Sequence, residues 1–273
     1  MRSSTVASCL FASFLARESF AQSPAPSSQA APVAANASRA GLPAHEALRA
    51  ALTQARKEKN GGFDLDMWAA IVDRDGVVQA IAFTGRGRGD QWPGSRVIAA
   101  QKANTANAFS LPGLALSTAN LFTAVQPGGS LFGLQASNPV DVSVAYRGNA
   151  EQFGQPNDPM VGGRIGGVNV FGGGLPLYDA KGTLVGAIGV SGDTSCADHN
   201  IAWRTRSLLQ LDYVPAGVSG DAERPDNIVF DIAPDANAHL KSKGGFGHPH
   251  AIGGGEDKEK QLAAALPAVR KKA

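Results

Sequence analysis

The chain has 273 residues and a formal net charge of +2 at pH 7, long enough for one domain with tails or two small domains, and long enough to bury a core. Its charges of both signs are mixed along the sequence with no sustained basic stripe, which excludes a nucleic-acid binder of the usual electrostatic kind. With 33 glycines against an aromatic share of 7%, tight turns and close backbone approaches are expected rather than a large aromatic core.

The opening MRSSTVASCLFASFLARESFAQS carries Arg2, an apolar run from Val6 to Ala16 and the small-residue pattern Ser19-Phe20-Ala21. It reads as a signal peptide over residues 1–21 and predicts a periplasmic or secreted protein. The run is too short to remain in a bilayer as a helix, and no later stretch is long and apolar enough, so no membrane span is expected. Cleavage after Ala21 would remove Cys9 and leave Cys196 without an intramolecular disulfide partner. A lone thiol in an oxidising compartment is buried, bound or paired with another molecule. Residues 22–41 are Pro, Ala and Ser with almost no large apolar side chain, and read as a disordered linker.

A domain is expected over residues 42–233. Its first element is a helix in LPAHEALRAALTQARKEKNGG: Pro43 suits the first turn, Leu48, Leu52 and Ala55 share a face, and Gly61 and Gly62 end it. Two similar hairpins follow, far apart in sequence. MWAAIVDRDGVVQAIAF turns at Asp73-Arg74-Asp75-Gly76, and VNVFGGGLPLYDAKGTLVGAIGV turns at Asp179-Ala180-Lys181-Gly182. Each leads into a helix, Ser95 to Phe109 after the first and Ser195 to Leu211 after the second. Helix, hairpin, helix, hairpin and helix make an α+β domain in which helices cover an antiparallel sheet. Between the halves the pattern predicts a short helix near Ser117 and then loops, with DNIVFDIA adding a late strand. Residues 234–273 are glycine-rich and then charged, and read as a flexible tail with at most a short helix near Leu262.

Lys102 falls in the middle of an apolar stripe formed by Ile98, Ala99, Ala106 and Phe109 when the Ser95 helix is projected at the helical step, with Thr105 at its edge. Such a lysine needs compensation, either from a carboxylate or snorkelling, or from an anionic group of a ligand. Arg86 and Arg88 in FTGRGRGDQWPGS stand between a strand and a helix N-terminus, a place that attracts anions. The spacing matches neither the dinucleotide fingerprint nor the P-loop, and a solvated loop is the alternative.

On the Ser195 helix, Ala197, Ile201, Thr205, Leu208 and Leu209 form the expected core face, while Cys196, His199, Trp203, Arg206 and Gln210 lie on the other side. A tryptophan there should meet a ligand or a partner subunit. Ser195 and Asp198 resemble a capping box. His199 is either a partly exposed neighbour of Trp203 or a metal ligand; a closed zinc site lacks its second pair, whereas a haem iron needs only one or two protein ligands. His239, His248 and His250 sit in the tail, where adventitious metal binding is the expectation. No Gly-x-Ser-x-Gly elbow occurs, and no set of acid, base and nucleophile is complete.

Taken together, IVDRDGVVQA, the Lys102-Ala103-Asn104-Thr105-Ala106 helix and GGGLPLYDAKGTLVGAIGVSG resemble the GlcG/HbpS family of haem-binding proteins over about Leu42 to Leu211. The resemblance implies a profilin-like or PAS-like α+β fold, homo-oligomers, and association with haem or iron in redox sensing or haem turnover. It makes Thr105 a candidate haem contact. Haem propionates would then pair with Lys102 or with Arg86 and Arg88, and iron ligation is open between His199, Cys196 and Thr105. TSCADHN differs from the acidic, proline-containing helix start of the family, and an insertion over about 138–160 and the C-terminal extension lie outside its short pattern. The rival reading is a PAS-like sensor of an organic acid that uses the same cations without a metal, and an enzyme degrading haem or acting on a small acid ranks last.

Overall fold

The computed structural model describes residues 41–236, 240–251 and 255–272. The signal peptide and, apart from Gly41, the linker lie outside the described residues, as does His239. In chain order the elements are α1 (His45–Arg56), β1 (Trp68–Asp73), β2 (Val78–Phe83), α2 (Ser95–Phe109), two short 3₁₀ turns at Thr118–Leu121 and Thr123–Val125, α3 (Leu134–Ser137), α4 (Val142–Ala145), a third 3₁₀ turn at Ala150–Gln152, β3 (Gly174–Tyr178), β4 (Leu184–Ser191), α5 (Ser195–Leu208), β5 (Ile232–Pro234), β6 (Leu240–Ser242) and α6 (Glu256–Ala264). The two hairpins and the helices that follow them are where the pattern puts them.

The hairpins join into one antiparallel sheet of order β2-β1-β4-β3. β1 lies in its middle, pairing Trp68 with Phe83 on one side and with Ser191 on the other. Side chains alternate across a strand, so each face gathers its own core. Ala69, Ile71, Ala82, Leu175, Leu177, Ile188 and Val190 meet α1 and α5 through Leu48, Leu52, Ile201 and Ala202. Trp68, Ala70, Val72, Ile81, Phe83 and Ala187 meet α2 through Val97, Ala99, Ala100, Ala103 and Ala106. The α2 side is built from small residues, which lets the helix backbone come very near β4: a Cβ at Gly189 would stand 1.9 Å from the Ala99 carbonyl oxygen and 2.5 Å from the Ala103 nitrogen.

Two segments depart from expectation. The insertion packs Ala145 and Met160 into the α2-side core, and its Asp158 takes both Nε and Nη2 of the buried Arg96. The C-terminal extension was expected to be a flexible tail, but Leu266 and Val269 join the α1/α5 core, and Ala263 packs with Cys196 and Ile228. Charge and glycine content hid this, because the few apolar residues of the extension are spaced to dock on a partner surface rather than to fold alone. DNIVFDIA gives only its last residues to a strand, Ile232–Pro234, which pairs β6 apart from the main sheet.

Gly189→Ala tests the close approach of α2 to β4. Overpacking against helix backbone should cost about 3 kcal/mol or more, read as a lower urea midpoint; an unchanged midpoint would show that the contact is not tight.

Candidate functional site

Lys102 is 1% exposed, and its ammonium donates to Asp198 Oδ2 at 2.7 Å and to the Val190 carbonyl at 3.0 Å. Asp198 belongs to α5, on the opposite face of the sheet, so the pair joins the two helical layers around the point where β3 begins. Glycine opens that route. A Cβ at Gly173 would lie 3.2 Å from Lys102 Nζ, 3.1 Å from Asp198 Cβ and 2.4 Å from the Val190 oxygen, at a φ of +113° that side chains rarely adopt. The other Asp198 oxygen accepts the Asp193 N–H at 2.9 Å. Burial pushes the lysine down and the Asp198 carboxyl up to about 6, while the attraction between them opposes both changes. Of the readings open for Lys102, the carboxylate-paired one holds.

Asp198 was expected to share a capping box with Ser195. The cap is Thr194 instead, whose Oγ1 accepts the Ala197 N–H, and the Asp198 carboxylate goes to Lys102. A buried ammonium left unpaired costs several kcal/mol, against about 1 kcal/mol for a cap bond.

The face of α5 carrying Cys196, His199 and Trp203 was expected to meet a ligand or a second subunit. The chain covers it with its own residues Asn227, Ile228, Pro249, Ala263 and Pro267, leaving the three at 5%, 0% and 1% exposure. Trp203 Nε1 donates to the Pro267 carbonyl at 2.9 Å. Its ring carries the Arg206 guanidinium 4.5 Å from the centroid, and Arg206 pairs with Asp226 through two bonds of 2.5 and 2.9 Å. The Cys196 thiol donates to the Pro249 carbonyl at 3.9 Å, and burial, with Glu259 beside it, raises its pKa, so it is an inert thiol rather than a thiolate.

His199 is held in one tautomer. Asn227 Nδ2 donates to the Ala263 carbonyl and Asn227 Oδ1 accepts the Ile228 N–H, which fixes the amide, so the oxygen 3.1 Å from His199 Nε2 can only accept. Nε2 therefore carries the proton, and Nδ1, buried and without a hydrogen-bond partner, keeps a bare lone pair. Burial lowers the imidazolium pKa to about 4, so the lone pair is available at neutral pH.

Two of the three tail histidines, His248 and His250, are engaged within the fold. His248 is 2% exposed, with Nδ1 2.6 Å from the Pro249 carbonyl and Nε2 2.8 Å from Ser195 Oγ, and burial pushes its pKa down to about 4. His250 Nδ1 lies 2.8 Å from Glu259 Oε2 while its ring stacks on Phe230. Among the described residues no three or more His, Cys, Asp or Glu form a metal-binding group.

The remaining candidates stand apart. Thr105 Oγ1 donates to the Gln101 carbonyl at 2.8 Å and accepts the Asn169 N–H at 3.0 Å, so its hydroxyl is engaged within the fold. The loop of Arg86 and Arg88 is exposed, with the Arg86 side chain at 97%, and the place expected for an anion holds the Asp90 carboxylate, which accepts the Arg86 and Gly87 N–H groups. The seven candidates thus fall in three places: α2, the outer face of α5, and the loop before α2. Of His199, Cys196 and Thr105, His199 alone presents a nitrogen without a hydrogen-bond partner, since the Thr105 hydroxyl is engaged and the Cys196 thiol is protonated; Lys102 is already neutralised by Asp198. Asp198, Ser195, Asn227, Arg206 and His248 were missed as members of these constellations. A lysine in an apolar stripe was itself a signal that a buried carboxylate had to exist; the others, paired across 20 to 53 residues, left none.

The family model described as haem degrading protein HbpS-like matches residues 43–206. None of the curated proteins matches the chain. Among solved structures, the chain is similar to the PduOC:heme complex, at 24% identity over 60% of this chain and 89% of that one with a TM-score of 0.42. It is similar to ORFY of Klebsiella pneumoniae, a DUF336 protein, at 25% identity over 60% and 86%, with a TM-score of 0.41. Similarity to HbpS is 20% over 65% and 99%, with a TM-score of 0.37.

The two buried imidazoles predict an acid-sensitive fold. Each has its pKa lowered from 6.5 to about 4, so the unfolded chain takes up these protons first. The stability they lend is complete above pH 6.5 and is lost as pH falls toward 4, on the order of 3 kcal/mol per imidazole. Asp198, raised from 3.8 to about 6, acts in the opposite sense between those values. Unfolding free energies from urea titrations at pH 7 and pH 5 should differ by a net loss of about 2 kcal/mol at the lower pH; equal values would contradict neutral buried imidazoles.

Proposed function

The chain belongs to the HbpS-like family, and from that membership together with the state of His199 we propose that it binds haem, with the bare Nδ1 of His199 as the iron donor. The observation that carries this reading is an imidazole with one nitrogen oriented by Asn227 and the other buried without a partner. Metal-bound histidines are held this way, their second N–H given to an oxygen that fixes ring and tautomer. A haem iron supplies redox and oxygen chemistry. The chain's contribution is to hold the ligating nitrogen unprotonated at neutral pH, to place the Trp203 ring beside it, and to exclude water by its own covering segment.

That segment also sets the terms of entry. His199 is wholly buried beneath a layer that includes Asn227, Ile228 and Ala263, so haem reaches it only when this layer lifts from α5. Association should therefore be slow compared with an open pocket.

Haemin added to the full chain should give a shifted Soret band that saturates at one equivalent, and His199→Ala should lose the ligated spectrum while keeping its circular dichroism. A spectrum equal to that of free haemin at stoichiometric protein would sink the proposal.

Export and assembly belong to the same reading. The first 21 residues would direct the protein to the periplasm or the exterior, for a role in haem and iron handling or redox sensing. The exposed Phe132, Val142 and Tyr146 of the region around α3 and α4 would supply apolar surface for a homo-oligomer. In cells, the mature protein should begin at Gln22 by mass spectrometry and sediment as an oligomer that Tyr146→Glu weakens. A cytoplasmic, uncleaved monomer would overturn both points.

A further inference from the structure

We propose that Ser195 and His248 form a nucleophilic pair that accepts acyl groups from small, activated carboxylic esters. Neither residue is an iron donor in the haem reading, but His248 belongs to the layer that haem entry would lift from α5, so the pair is to be assayed on the haem-free chain. Ser195 is the first residue of α5 and is half-buried; its Oγ lies 2.8 Å from His248 Nε2.

The direction of that bond follows from its surroundings. His248 Nδ1 is 2.6 Å from the Pro249 carbonyl, which can only accept, so Nδ1 carries the proton and Nε2 presents its lone pair to the hydroxyl. Gly172 N–H donates to the same Oγ at 2.6 Å, which leaves the serine proton to point at His248. This is the arrangement of an activated serine: hydroxyl to a bare imidazole nitrogen, with the far nitrogen oriented by a third group. Here the third group is a backbone carbonyl in place of a carboxylate.

The base is also fixed in position. The His248 backbone N–H donates to the Val229 carbonyl at 2.8 Å, the preceding Gly247 carbonyl accepts from Thr123 Oγ1, and the ring packs on Phe122 with centroids 5.0 Å apart. Ser195 stands at the positive end of the 14-residue α5, which favours negative charge developing beside it.

In the step, Oγ bonds to the ester carbonyl carbon as its proton passes to His248 Nε2. The tetrahedral adduct then collapses with breakage of the carbon–oxygen bond to the leaving alcohol, which takes that proton. Solvent water, deprotonated by the same imidazole, adds to the acyl-serine and releases the acid and free Ser195.

The experiment is to mix the full chain with 4-nitrophenyl acetate, follow nitrophenolate release, and map the adduct by peptide mass spectrometry. The expected result is a burst approaching one equivalent with the acetyl group on Ser195. Ser195→Ala should abolish the burst, and His248→Gln should slow acylation by roughly 100-fold or more. Acetylation confined to lysines or other hydroxyls, or a rate unchanged by His248→Gln in a folded variant, would overturn the proposal. If either variant fails to fold, the position of the adduct on the unsubstituted chain decides the matter. Haemin binding read on the same preparations separates this activity from the haem reading, because each can fail while the other stands.

Discussion

A lysine and an aspartate buried 2.7 Å apart between two helices on opposite faces of a sheet set the constraint around which the rest of the domain is arranged. Neither charge can be left alone in that environment, so the helices that carry them must stop at one relative position. Asp198 also holds the Asp193 N–H, and Asp193 in turn accepts the N–H groups of Phe63 and Leu65. The loop after α1, the end of β4, the start of α5 and the middle of α2 are thereby tied together through two linked carboxylates, Asp193 and Asp198. Such a pair adds little net stability over an apolar replacement; what it adds is a unique arrangement.

Two further buried pairs repeat the device at the periphery. Arg96 with Asp158 secures the insertion to α2, and Arg206 with Asp226 secures the C-terminal extension to α5. Both arginines also lie against an aromatic ring, Phe153 and Trp203 respectively. Each added segment is therefore docked by a guanidinium that already belonged to a core helix. This explains how segments poor in large apolar residues are held in place: they supply a carboxylate and a few methyl groups, and the helix supplies the rest.

The sequence shows the fold better than the site, and the reason is range. The apolar runs of β1, β2, β3 and β4, the turn residues at Asp73 and Asp179 and the helical stripe of α1 are local signals, and they describe the sheet and its layers correctly; the stripe projected for α2 is only half right, since the helix packs through Val97, Ala99, Ala100, Ala103 and Ala106 while Ile98 and Phe109 stay partly exposed. The outer face of α5 defeats a projection because a helix wheel counts one buried side, and here a second layer arrives from the described residues after Asp226. Cys196, His199 and Trp203 were legible as unusual, but their partners Asn227, Pro249 and Pro267 were not, since nothing in a glycine-rich extension announces where it will lie. Lys102 was the most readable site residue, because burial of an ammonium demands a partner. Asp198 was visible too and was assigned to a weaker task.

The chemistry at this end of the domain depends on three successive glycines. Gly172 gives its N–H to Ser195, Gly173 leaves the gap through which Lys102 meets Asp198, and Gly174 lets Thr118 and the α2 backbone close over the strand start. Gly173, Lys102 and Asp198 are thus physically linked in one direction: a side chain at 173 would close the gap and strand both charges, whereas the Val190 carbonyl and the positive φ demand glycine there whatever the two helices carry.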